Sequence, residues 1–217
     1  MDENNNIRVG RSDPQPPNLG GSTKDEILQR LRSNTREQYA MPDLSQLTPI
    51  TFDDPVAEFI RKTTTIAGAK LLEMKAGDSM DAVVHRAYPD AKIIASNIPG
   101  VKAQLNPDTA TVEELEKADV GVIEGKIGVA ENACVWIPQA MKERAVCFAS
   151  EQLVIVVHRD AIVNNMHEAY ARIAASQEYF QEYKFGTFIS GPSKTADIEG
   201  ALVYGAQAAR GATVVLV

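Results

Sequence analysis

Leu153-Val154-Ile155-Val156-Val157 is an unbroken run of branched aliphatic residues. No polar residue alternates with them, so neither face of the segment suits water, and a strand covered on both faces belongs to a parallel sheet with helices on either side. Working outward, residues 92–96, 119–123, 133–137, 186–190 and 213–217 read as further strands, the first of them closed by the turn sequence Asn97-Ile98-Pro99-Gly100. Helical spacing fills the intervals. Asp54 and Pro55 supply a cap and a first-turn proline for a helix whose inner face is Val56, Phe59, Ile60, Thr63 and Ala67. Further helices are predicted at 80–87, after the capping box Thr111 to Glu114, at 164–183 along Met166, Ala169, Tyr170, Ile173, Gln177 and Phe180, and at 197–204. Strands alternating with amphipathic helices predict an α/β fold with a mostly parallel sheet flanked by helices and right-handed crossovers.

The first 22 residues are rich in Pro, Gly and Asn with almost no bulky apolar side chain. Such a segment buries too little surface to offset its ordering entropy, so 1–22 reads as a disordered or extended tail. The folded domain is expected over 23–217. It opens with a small helix and connector over 23–54, in which Thr23 and Glu26 stand at capping-box spacing ahead of the stripe Ile27, Leu28 and Leu31.

The chain carries 22 Lys plus Arg against 29 Asp plus Glu, a net charge of −7. That acidity argues against nucleic acid and anionic membrane surfaces, which reward basic faces. No stretch approaches the ~20 apolar residues of a membrane span. The start Met-Asp-Glu-Asn-Asn-Asn is unlike a secretory signal, so a cytoplasmic location is expected. Cys134 and Cys147 are isolated among apolar residues, and with three scattered His they offer no spacing for a structural metal or an iron–sulfur cluster. No metal site and no resident redox centre is expected. His85 and His167 read as helix residues, and Trp136 as core.

Three loops are candidates for chemistry, because ligands of open α/β sheets bind beyond the carboxyl ends of the strands. In Ser190-Gly191-Pro192-Ser193-Lys194-Thr195-Ala196-Asp197, a strand is expected to hand over to a helix, where free amides receive a phosphate or carboxylate. Gly191 and Pro192 shape the turn, Ser193 and Thr195 donate and Lys194 pairs. Equally, Ser193 or Thr195 is only a cap, with Asp197 and Glu199 complementing the helix dipole. The second loop runs from Glu124 to Ala133. There Gly128 allows close approach, while Glu131 and Asn132 stand before a core strand; Glu131 reads either as a nucleophile or general base, or as a solvated carboxylate paired with Lys126 or Lys194. The third is His158-Arg159-Asp160.

The segment Phe185-Gly186-Thr187-Phe188-Ile189-Ser190-Gly191-Pro192-Ser193-Lys194-Thr195-Ala196-Asp197-Ile198-Glu199 resembles the signature of the LUD-domain family, specifically its lactate utilization protein C branch. Residues 128–136, residues 156–170 and the closing Gly-Ala-Thr-Val-Val-Leu-Val strand agree, so the likeness runs from about Thr23 to Val217. It implies a fold like that of sugar-phosphate isomerases (RpiA), the NagB enzymes, CoA transferases and formyltetrahydrofolate cyclo-ligase. It also implies a part in oxidising L-lactate to pyruvate beside partner proteins that carry the iron–sulfur clusters. Neither the residues nor the resemblance names a cofactor, and homo-oligomerisation stays open. The competing expectation is a stand-alone enzyme or binding protein for a phosphorylated, CoA-linked or folate-like anion. Two departures stand out. Ala130-Glu131-Asn132-Ala133-Cys134 replaces a common Ala-Glu-Thr-Gly-Thr run, keeping Glu131 in register, and Gln207-Ala208 replaces a usual His-Gly, putting an untitratable side chain where a proton carrier would stand.

Overall fold

The computed structural model describes residues 23–35, 40, 42–43, 46–176, 185–198 and 200–217. The expected tail over 1–22 and the far end of the expected long helix, 177–183, lie outside them. The chain divides into two units, 1–47 and 48–217.

In the first unit, helix α1 (Thr23–Asn34) carries Asp25 and Glu26 in its first turn and Arg32 in its last, complementing the helix dipole. Thr23 is helical rather than a cap, a boundary shift of the usual size. The stripe Ile27, Leu28 and Leu31 is exposed.

The second unit begins its regular structure with α2 (Pro55–Thr65), where the Ala57 amide donates to Asp54 Oδ1 at 2.9 Å. The elements β1 (Lys70–Glu73), α3 (Met80–Ala87), β2 (Ile94–Ser96), α4 (Val112–Leu115) and β3 (Val120–Glu124) follow. The chain continues through β4 (Ile127–Val129), β5 (Cys134–Pro138), β6 (Gln152–Val157), β7 (Ile162–Val163), α5 (Met166–Ala175), β8 (Gly186–Ile189), β9 (Lys194–Ile198), β10 (Ala201–Tyr204) and β11 (Gly211–Leu216).

The opening stretch, β6, lies at the centre of a five-stranded sheet ordered β1-β11-β6-β3-β2, every pair of it parallel. Its side chains divide between the two faces with period 2. Leu153, Ile155 and Val157 join Phe59 of α2 on one side, and Val154 and Val156 join Val83 and Val84 of α3 on the other. Helices therefore cover both faces, as the unbroken aliphatic run requires. Asp119 pins the entry of β2 beside β3: its Oδ2 accepts the amides of Lys92 (2.7 Å) and Ile93 (2.8 Å), which hold its carboxyl below the usual carboxylate range.

A second sheet, β7-β4-β5-β8, stands beyond the carboxyl ends of β3 and β6. β4 continues from β3 through Gly125 and Lys126, β7 continues from β6 through the single turn Arg159–Ala161, and the two run parallel. The pairs β4–β5 and β5–β8 are antiparallel. α5 packs on this sheet through Ala169, Met166 and Ile173.

One expected element is absent. Residues 197–204 do not form a helix; β9 and β10 make an antiparallel hairpin that is a sheet of its own. Gly200, at φ 72°, follows β9 and turns the chain back, and Thr195, Val203 and Tyr204 suit a strand better than a helix.

Candidate functional site

Two of the loops singled out in the sequence meet at the end of one helix. The turn joining β4 to β5 contains Ala133 at φ 55°, buried, at the position where the resemblance places a glycine. The Cys134 amide donates to Asn132 Oδ1 at 3.2 Å and closes the turn. The Asn132 carbonyl accepts Ser190 Oγ at 3.0 Å, which ties the exit of β8 to it. The next residue, Gly191 at φ 72°, lies against the carbonyl of Ala67 so closely that a Cβ would stand 2.2 Å from that oxygen. Lys194 donates to the same oxygen at 2.5 Å. Ala67 follows α2, and Lys62 of α2 reaches the Glu131 carbonyl at 2.9 Å. The C-terminal turn of α2 and its exit thus hold Glu131 and Asn132 on one side and Gly191 and Lys194 on the other.

Lys62 was not anticipated. Its ammonium also sits 3.1 Å from Glu58 and 4.6 Å from the centre of the Phe52 ring, and its side chain is only 15% exposed. Glu58 is gripped by Arg61 through both Nε and Nη2 at 2.8 Å, which, with help from Lys62, holds its carboxyl down at about 2. A hollow of about 420 Å³, lined by Thr51, Phe52, Asp54, Glu58 and Arg61 among others, adjoins this cluster and shares Phe52 and Glu58 with it. Lys62 stands beside Thr63 at the border of the apolar stripe, and this position was the available signal.

Glu131 faces a helix N-terminus, though not the expected one. Its Oε2 accepts the amide of Met166, the first residue of α5, at 2.9 Å. Asn165 caps the same helix, accepting the Glu168 amide at 3.0 Å, and its Nδ2 donates to the Ile50 carbonyl at 2.8 Å. Asn164 Oδ1 accepts the Phe52 amide at 2.9 Å, while its own Nδ2 donates to the Glu168 carboxylate at 3.1 Å. Asn165 is completely buried. The spacing of Asn165 and Glu168, that of a capping box, was the sequence signal for this junction.

The remaining candidates fall as follows. With no helix after Ser193, the loop over 190–197 has no dipole to offer an anion, and it is the chain's own return that occupies Ser193. The Ser193 amide donates to Ala209 (2.9 Å), its carbonyl accepts the Gly205 amide (3.1 Å) and its Oγ accepts the Gln207 amide (3.4 Å). Gln207, the departure from the usual His, is thereby brought beside this loop. Thr195 Oγ1 donates to Asp197 at 3.3 Å, and Pro192 is buried. Gly128 is a packing residue: a Cβ there would stand 2.4 Å from Ile162 Cδ1 and 3.3 Å from the Phe59 ring. In the third tract, Arg159 pairs with Glu73 and its amide donates to the Val217 carbonyl at 3.0 Å, locking the carboxyl ends of β1, β6 and β11 together. The alternative pairings of Glu131 are not formed; Lys126 pairs with Glu124 at 2.6 Å.

The LUD domain model matches residues 23–217. Lactate utilization protein C of Macrococcus caseolyticus (strain JCSC5402) is 25% identical over 209 residues, covering 94% of this chain and 83% of that protein. The crystal structure of a DUF162 family protein from Deinococcus radiodurans superposes with a TM-score of 0.59 at 17% identity, over 77% of this chain and 99% of that one, and so shares the fold.

Proposed function

The chain belongs to the LUD-domain family, and from that premise we propose that it serves lactate utilization, as a component of a cytoplasmic system that oxidises L-lactate to pyruvate together with iron–sulfur partner proteins. The observation that carries the reading is the convergence of Glu131, Lys62, Ser190 and Lys194 on the end of α2, in a chain alignable over most of its length with a lactate utilization protein C. These side chains bond to the chain's own backbone and fix the two loops, while the open hollow of about 420 Å³ beside α2, with Asp53, Asp54, Glu58 and Arg61 on its wall, offers polar groups to a guest or to a partner. The cysteines support a division of labour. Burial pushes the thiols of Cys134 and Cys147 up to about 12, so neither presents the thiolate that a cluster or a disulfide exchange needs. Glu131 remains the candidate catalytic carboxylate, held by the Met166 amide at the N-terminus of α5, and a parallel sheet with helices on both faces supports kinship with the isomerase and CoA-transferase folds.

Three measurements test this. Deleting the gene should abolish growth on L-lactate, with growth on pyruvate unaffected. The purified chain should not reduce an electron acceptor with L-lactate by itself, and should co-purify with cysteine-rich partners from lactate-grown cells. Robust lactate oxidation by the isolated chain, or undiminished growth of the deletion strain, would defeat the proposal.

A further inference from the structure

Glu131 is held by a residue that also carries a sulfur atom. As the first residue of α5, Met166 has an amide with no acceptor inside the helix, and Glu131 Oε2 at 2.9 Å is its partner. The thioether of the same residue packs into the interface between α5 and the second sheet, where Cys134 Sγ donates to Met166 Sδ at 3.7 Å. Ile127, Val129, Val163 and Ala169 belong to that interface and are all buried. The two sulfurs are not equally reachable. Cys134 is 4% exposed, whereas Met166 is only half-buried. Burial also keeps the thiol protonated, while a thioether reacts with an oxidant without ionising.

We propose that Met166 is a redox-sensitive switch on the Glu131 contact, thrown by a peroxide. A sulfur lone pair takes one oxygen atom from hydrogen peroxide, the O–O bond breaks, and proton transfer to the departing oxygen releases water. The thioether is oxidised to the sulfoxide and the peroxide is reduced. The new S–O dipole then stands in an apolar interface, where the S–H of Cys134, a weak donor, is what it meets. A polar group buried without a good partner is costly, and moving the first turn of α5 outward returns it to water. That turn carries the Met166 amide, so the shift parts it from Glu131. One residue thus serves both ends of the device, its side chain sensing the oxidant and its main chain releasing the carboxylate. Reduction back to the thioether resets it. Control of lactate utilization by this switch rests on the reading of Glu131 as the candidate catalytic carboxylate; the switch itself does not.

The test treats the purified full chain with millimolar hydrogen peroxide. Peptide mass spectrometry should find one oxygen added at Met166 before Met141, which is 6% exposed. Amide exchange followed by NMR should then quicken at Met166 by about tenfold or more, the protection that a hydrogen bond to a charged acceptor provides. Methionine sulfoxide reductase should restore the slow rate. Met166→Leu keeps the apolar volume without the sulfur, so exchange at that position should be slow and indifferent to peroxide. Oxidation of Met166 only in denaturant, an unchanged exchange rate in the sulfoxide form, or an equal peroxide response in Met166→Leu would each overturn the proposal. None of these readouts involves lactate, so their failure is distinct from failure of the growth test.

Discussion

Replacing Gly191 by alanine tests the geometry that joins the two loops, and the cost can be worked from two separable causes. At φ 72° an L-residue occupies the left-handed region, which costs about 1–2 kcal/mol. The new Cβ would also stand 2.2 Å from the Ala67 oxygen and 2.9 Å from its carbonyl carbon, so backbone on one side must yield; overpacking of this kind costs about 1–3 kcal/mol. The reduced freedom of the unfolded chain returns about 0.4–1 kcal/mol. Gly100→Ala is the matched control: its φ of 85° carries the conformational cost, but a Cβ there meets nothing within 4 Å. Subtracting the control leaves the contact alone, so Gly191→Ala should be the less stable by about 1–3 kcal/mol. For a chain of this size that corresponds to a further fall of about 2–12 °C in melting temperature. Urea unfolding of both variants, with unchanged m-values, measures the difference directly. Coincident midpoints would refute the close packing of Gly191 on the exit of α2, and with it the convergence of the two loops.

The other predictions concern the junction with α5, the acid limb and the thiols. Asn165→Ala removes a helix cap worth about 0.5–2 kcal/mol and a hydrogen bond to the Ile50 carbonyl worth about 0.5–1.5 kcal/mol. A urea-unfolding loss well under 1 kcal/mol would contradict the two hydrogen bonds drawn to that side chain. Because Glu58 titrates at about 2 in the folded chain against 4.5 ordinarily, its pairing stabilises fully above 4.5 and is lost as pH falls toward 2. Glu58→Gln should therefore flatten the stability–pH curve within that window and leave its shape unchanged near neutrality; an equally steep acid limb would remove Arg61 as the cause. With both thiols pushed up to about 12 and buried, neither Cys134 nor Cys147 should react with an alkylating reagent at mildly alkaline pH until denaturant is added. Rapid labelling of the native chain would show that one of them is reachable.

What was legible in the sequence depended on how much of each signal was local. Residues 153–157 could be placed because burial on both faces leaves a mark within the segment itself. Asp54-Pro55 announces α2 by capping chemistry that needs no distant partner. β1 was missed because its Lys70-Leu71-Leu72-Glu73 is short and polar at both ends, and takes its identity from pairing with β11, over a hundred positions away. β7, at two residues, has no period to read. The hairpin was mistaken for a helix because Asp197 and Glu199 look like a first turn, although Gly200 and the strand-forming residues around it favoured a reversal. The same reversal changes the site. The expected anion loop lost its helix, while Glu131, chosen for being polar before a core strand, faces the start of a different one. Lys62 carries no local signal, because only the folded chain brings α2 to the turn after β4.

Trp136, the only tryptophan of the chain, lies on β5 with its ring 5.0 Å from Phe188 and so close to Gly186 that a Cβ there would stand 2.1 Å away. Its emission is therefore a local gauge of the seam between β5 and β8, blind to the parallel layer except through it. If fluorescence and far-ultraviolet dichroism change at the same denaturant concentration, both sheets melt as one body. If the fluorescence changes first, the smaller layer peels away while the larger one persists.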